Sequence, residues 1–74
     1  MRIIILGYTG LIGSSILEKL ANNPSFDLVC VGRNIKNKLY RGKRIKYIKW
    51  DFLTFEEKNL SFLKKANIII NCVG

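Results

Sequence analysis

The stretch ILGYTGLIGSS, residues 5–15, sets Gly7, Gly10 and Gly13 at intervals of three between an apolar run and a segment of helical periodicity. Glycine loses more backbone freedom on folding than any other residue, so three at one junction need a reason. Either the chain turns tightly there or something approaches its backbone closely. The residues before it, RIIIL at 2–6, are continuously apolar after Arg2 and rich in β-branched side chains. That pattern predicts a strand buried on both faces, as in a parallel sheet.

The segment after the glycines, Leu11 to Asn22, has helical spacing. Ile12, Ile16 and Leu20 form one stripe, Leu17 and Ala21 lie beside it, and Glu18, Lys19 and Asn22 take the wetter side. Asn22, Asn23 and Pro24 end the helix. DLVCVG at 27–32 reads as a second short buried strand, and 33–44, without apolar period, as a loop. IKYIKW at 45–50 suits a strand near a sheet edge. Thr54 and Glu57 form a capping box that opens a second helix, ending at Lys64 and Lys65, whose charges complement its dipole. NIIINCVG at 67–74 is a further buried strand.

Strands alternating with helices call for a parallel sheet with right-handed crossovers. The fold class expected is α/β, a partial Rossmann-like doubly wound parallel sheet with strand order 3-2-1-4 and its two helices on opposite faces. In that order Cys30 and Cys72 are two strand spacings apart, roughly 9.6 Å, beyond the ~7 Å Cα limit for a disulfide. Reduced thiols follow, and with no His in the chain and no C-x-x-C spacing there is no case for a metal site.

Seventy-four residues, 49% of them apolar, make at most one small globular domain. No apolar run approaches the eighteen or so residues of a membrane span, and the N-terminus lacks a signal-peptide pattern, which points to the cytoplasm. The net charge of +8 is uneven: eight basic residues and no acid lie between Arg33 and Lys49. Such a block attracts nucleic acid, an anionic surface or a phosphorylated ligand, or is simply a solvated loop.

Glycines between a buried strand and a helix are a phosphate-binding device. The first permits the turn, the middle one admits a pyrophosphate, and the last lets the helix pack closely. Unpaired N–H groups of the first helical turn then face the phosphates. About 20 residues past such a loop an acid normally accepts hydrogen bonds from the ribose hydroxyls of NAD. Here the count from Gly13 lands on Arg33. A guanidinium cannot accept, but it clamps a 2′-phosphate bidentately, so NADP(H) is preferred over NAD(H), with Asn34 as a polar neighbour.

GYTGLIG resembles the G-x-T-G-x-[IL]-G loop of the short-chain dehydrogenase/reductase superfamily, in its extended and atypical branches. VGRN resembles the end of that family's second strand, WDF its third-strand Asp with the apolar residue after it, and IIINCVG its fourth strand. The landmarks occur in order along the whole chain. They fit nucleotide-sugar epimerases, dehydratases, dehydrorhamnose reductase-like proteins, NADPH-binding accessory subunits of respiratory complex I and saccharopine dehydrogenase-like proteins.

The resemblance implies that residues 1–74 are the N-terminal part of an NAD(P)-binding Rossmann domain. Backbone at Thr9, Gly10, Leu11 and Ile12 would line pyrophosphate and adenosine. Asp51 would meet the adenine amine and the Phe52 backbone the ring edge. Cys72, Val73 and Gly74 would sit beside the adenosine ribose and the nicotinamide side. Each has a plainer alternative: Thr9 a turn hydroxyl, Asp51 the start of the turn before Thr54, residues 72–74 core, Arg33 a solvated cation.

The family's hydride transfer uses a Tyr-x-x-x-Lys pair. Four residues beyond Tyr8, Tyr40 and Tyr47 lie Ile12, Arg44 and Asp51, so the chain alone is expected to be inactive. Two functions stay open: the cofactor-binding portion of an NADP-dependent enzyme acting on a nucleotide sugar or similar small molecule, or a non-catalytic NADPH-binding accessory module. A nucleic-acid site using Tyr40, Tyr47 and Trp50 as stacking platforms is the least favoured. The fourth strand's edge would be exposed, inviting self-association.

Overall fold

The computed structural model describes residues 1–33, 35, 40, 42–49 and 64–73. Its elements are β1 (Arg2–Leu6), α1 (Leu11–Ala21), β2 (Asp27–Gly32), β3 (Ile45–Lys49) and β4 (Ile68–Asn71). All pairings are parallel and the sheet order is β3-β2-β1-β4, the expected arrangement. The capping box at Thr54–Glu57 and the body of the expected second helix lie outside the described residues. Lys64 and Lys65 form a short 3₁₀ turn leading into β4.

The continuous apolar run of β1 has the predicted consequence. Ile3, Ile4 and Ile5 are buried, because β1 is flanked by β2 on one side and β4 on the other. Alternate residues supply the two faces. Ile3, Ile5, Leu28 and Cys30 pack with Tyr8 and Leu17 on one face; Ile4, Val29 and Val31 pack together on the other. Burying one such isoleucine contributes roughly 2–3 kcal/mol, so this central pair of strands carries most of the core.

α1 covers the first face with Leu17 and, half-buried, Ile16, Leu20 and Ala21. The sequence stripe ran one residue too far: Ile12 is 69% exposed. It sits in the first turn, beyond the end of the sheet, where Gly13 makes the close contact instead. The helix stops as expected. Asn22 donates its side-chain amide to the Glu18 carbonyl (3.2 Å), Asn23 N–H donates to Leu20 O (3.1 Å), and Pro24 follows.

Beyond α1 the same face is closed over β2 and β3 by tyrosines. Tyr47 donates its hydroxyl to the Tyr40 carbonyl (2.7 Å) and accepts from the Tyr40 N–H (3.3 Å). Its ring packs against Tyr8 with centroids 5.3 Å apart. β4 departs from its reading as a buried strand: Ile68 and Ile69 are exposed and Ile70 half-buried. It ends at Asn71, with Cys72 extending the pairing by one bond, N–H to Leu6 O at 2.8 Å. Both cysteines are free thiols, Cys30 buried on β2 and Cys72 half-buried past β4.

Candidate functional site

A parallel sheet gathers the C-terminal ends of all its strands at one edge, and the glycine loop lies there, between β1 and α1. Gly7 turns the chain with φ +80°, a left-handed conformation that L side chains rarely adopt. Its N–H donates to Val31 O (2.8 Å), tying the loop to the end of β2. A Cβ on Gly7 would also lie 3.1 Å from the Cys72 carbonyl and the Val73 nitrogen. The first glycine is thus needed twice, for the turn and for the passage of the chain after β4.

Gly13 serves packing. A Cβ there would run into the Gly7 carbonyl oxygen and come 2.9 Å from the Tyr8 Cα, so the helix could not seat against the turn. Gly10 differs from both. It caps α1 with φ −72°, open to any residue, and a Cβ would meet only Gly7 O at an ordinary 3.6 Å. Nothing in the described fold requires glycine there.

Gly10 provides no side-chain cap, and α1 has no acid in its first turn. Ser14 N–H bonds to Gly10 O (2.9 Å), but the N–H groups of Leu11, Ile12 and Gly13 have no backbone acceptor among the described residues. These are the orphan donors of a helix start, with the positive end of the macrodipole behind them. Thr9, Gly10, Leu11 and Ile12 are exposed around them, Leu11 to 90%. The arrangement offers an anion three donors and a bare backbone to approach.

Arg33 follows directly on Gly32 at the end of β2 and is exposed at the same edge of the sheet. Thr9 reaches the same place: its Cγ2 lies 3.6 Å from where a Gly32 Cβ would stand. The structure therefore brings Gly7, Thr9, Gly10, Leu11, Ile12, Gly13, Arg33, Cys72 and Val73 to one edge. Asn34, Asp51, Phe52 and Gly74 lie outside the described residues.

Tyr8 is a part of this edge that sequence reasoning missed. Its side chain is 2% exposed and packs over Gly32, whose Cβ would stand 3.1 Å from the ring. The phenol is held neutral: burial raises its pKa, with Cys30 and Tyr47 adding to the effect. Its hydroxyl is buried without a hydrogen-bond partner among the described residues. A cavity of about 330 Å³ lies beside it, lined by Tyr8, Thr9, Ser14, Glu18 and Tyr40 among others. The signal for Tyr8 was present but indirect, since Gly32 continues the alternation of Leu28 and Cys30 and leaves a gap on that face.

Comparison with known proteins agrees with this geometry. No curated protein matches the chain. Among solved structures, the oxidoreductase ylbE from Lactococcus lactis superposes with a TM-score of 0.81 at 26% identity, over 100% of this chain and 33% of its own. UDP-glucuronic acid 4-epimerase from Bacillus cereus, in complex with NAD, superposes with a TM-score of 0.76 at 20% identity, over 97% of this chain and 26% of its own. The chain thus spans a third of the one and about a quarter of the other. Both share the Rossmann-like sheet. Residues 3–74 match the family described as the saccharopine dehydrogenase NADP binding domain. With 26% identity to an oxidoreductase beside it, the broad resemblance read from the motifs narrows to one of the groups it included: this chain belongs to the saccharopine dehydrogenase NADP binding domain family.

Proposed function

We propose that this chain holds NADP(H) for an oxidoreductase related to the short-chain dehydrogenase/reductases, acting on a nucleotide sugar or a similar small molecule. Gly10 carries the reading. The other two glycines of the loop are explained by the turn and by packing, whereas Gly10 has neither a constrained φ nor a close neighbour that excludes a side chain. In this reading its lack of a Cβ serves a ligand, and the three N–H groups beside it, without a backbone acceptor among the described residues, support an anion as that ligand.

The bound cofactor would supply hydride chemistry. The chain's own residues bind and orient it: the Leu11, Ile12 and Gly13 amides receive the pyrophosphate, and Arg33 takes the 2′-phosphate. In this reading the backbone at Cys72 and Val73 flanks the ribose and nicotinamide side, with Asn34, Asp51, Phe52 and Gly74 as further contacts. Cys72 and Val73 are suited to that by their approach to Gly7.

The test is parallel titration of NADPH and NADH. Gly10→Ala should weaken both by more than about tenfold while the unfolding midpoint hardly moves, because a methyl at Gly10 obstructs the ligand and not the fold. Arg33→Asp should weaken NADPH far more than NADH. Unchanged affinity in Gly10→Ala would overturn the loop assignment. Equal losses of the two dinucleotides in Arg33→Asp would overturn the assignment of NADP(H).

A further inference from the structure

We propose that the edge of the sheet opposite the glycine loop docks an acidic segment of a partner protein. This surface is separate from the dinucleotide edge and goes beyond that reading. In a parallel sheet all strands begin at one edge, and six of the nine described Lys and Arg residues are there. Arg2 opens β1, Lys43 and Arg44 lead into β3, Lys46 is its second residue, and Lys64 and Lys65 form the turn before β4. Only Arg33 and Lys49 among the described cations stand at the glycine-loop edge. A dinucleotide therefore does not account for where this chain keeps its positive charge.

Backbone hydrogen bonds make one patch of these groups. Leu28 N–H donates to Arg44 O (2.7 Å), Asp27 N–H to Met1 O (2.8 Å) and Asn67 N–H to Arg2 O (2.9 Å), so the starts of the four strands are tied side by side. Arg2 is the register partner of Asp27, and Lys46 that of Val29, so by strand alternation Arg2, Asp27 and Lys46 share the Ile4 face. With Lys43 and Arg44 they line a cleft of about 120 Å³. Arg44 is anchored there, its guanidinium donating to Asn23 O (3.0 Å) and Phe26 O (2.9 Å). Arg2, Lys43, Lys46 and Asp27 form no ion pair among the described residues. Asp51, Glu56 and Glu57 lie outside the described residues, and all three placed at this edge would still leave its cations in excess.

Two features favour a protein over a nucleic acid. Asp27 stands within the cleft, where it repels a phosphate backbone, whereas a protein segment can present a donor to it. Met1 and Ile68 are exposed at the same edge, to 59% and 42%, and give the apolar contact that protein interfaces bury inside a charged rim.

The experiment titrates the full chain with a short peptide of alternating glutamate and leucine, with its glutamine counterpart, and with oligothymidylate. The glutamate peptide should bind, weaken as salt rises, and stay bound under excess NADPH, because the glycine loop lies at the other edge. Lys46 and Lys49 are exposed at the two ends of the same strand, so reversing either changes the net charge equally. Lys46→Glu should weaken the glutamate peptide about fivefold and Lys49→Glu less than about twofold. As exposed positions, both should leave the unfolding midpoint in place. Equal losses in the two variants would reduce the attraction to net charge and overturn the proposal. So would failure of the glutamate peptide to bind, equally tight binding of the glutamine peptide, or displacement by NADPH. Tighter binding of oligothymidylate that depends on Lys46 would overturn it in favour of a nucleic acid.

Discussion

The chain contains two isoleucine triplets, Ile3–Ile5 on β1 and Ile68–Ile70 on β4, and the sheet places them side by side in register. In the first triplet no residue exceeds 3% exposure; in the second Ile68 is 42% and Ile69 47% exposed. The residues are identical and their strand propensity is the same. The difference is position: β1 has a strand on either side and α1 against one face, whereas β4 pairs with β1 alone among the described strands. An apolar β-branched run specifies a strand. Its neighbours specify how much water the strand loses.

The sharpest way to break this comparison is truncation. Ile5→Ala should cost about 3–4 kcal/mol in equilibrium unfolding, as a cavity in a packed layer does, and Ile69→Ala below about 1 kcal/mol. Comparable costs would show that the β4 triplet is as buried as the β1 triplet.

The cysteines extend the test to the strands on either side of β1. Cys30 is fully buried on β2, with its thiol pushed up to about 12 by burial, while Cys72 lies half-buried past β4. A thiol reagent at neutral pH should modify Cys72 at least about a hundredfold faster than Cys30, since only thiolate reacts and Cys30 must first be uncovered. Equal rates in the folded chain would contradict the placement of β2 in the core.

The same thiol sharpens the pH dependence. A pKa higher in the folded state than in the unfolded one gives stability that is whole below the unfolded value of 9.0 and is lost as pH rises towards about 12. Unfolding midpoints should hold up to pH 9 and fall above it, and Cys30→Ala should flatten that fall. A decline beginning below pH 8 would have another origin. The smallest effect concerns the exposed triplet. Ile69→Lys should leave stability within about 0.5 kcal/mol and reduce any concentration-dependent self-association, read by sedimentation.

Much of the fold was legible because it depends on local pattern. The run RIIIL, the glycine spacing and the helix ending at Asn22-Asn23-Pro24 each identify an element, and alternation of strand and helix forces the parallel order. What misled was the assumption that apolar means buried. Ile12 belongs to the helical stripe by spacing but lies 69% exposed in the first turn, and NIIIN was read as buried although the expected strand order already put it at an edge, because its apolar run was weighed above its place in the sheet. Of the candidate site, the positions of Gly7, Gly10, Gly13 and Arg33 at one edge of the sheet were legible, because spacing along the chain places them at the strand ends and the helix start. The site was illegible at Tyr8 and Gly32, which meet only through the fold-back of the loop onto β2.

By itself the sequence determined that a strand must turn sharply into a helix at Gly7, and that a cation stands where an acid is usual. Those are properties of covalent order, since backbone conformation and charge belong to individual residues. Only the tertiary structure decided which of the three glycines the fold itself does not require. The left-handed turn claims Gly7, close packing claims Gly13, and the open space at Gly10 becomes visible once α1 and β1 are seated against each other. It also decided that Tyr47 and Cys30 share one face, because a parallel register brings together residues that are seventeen positions apart in the chain.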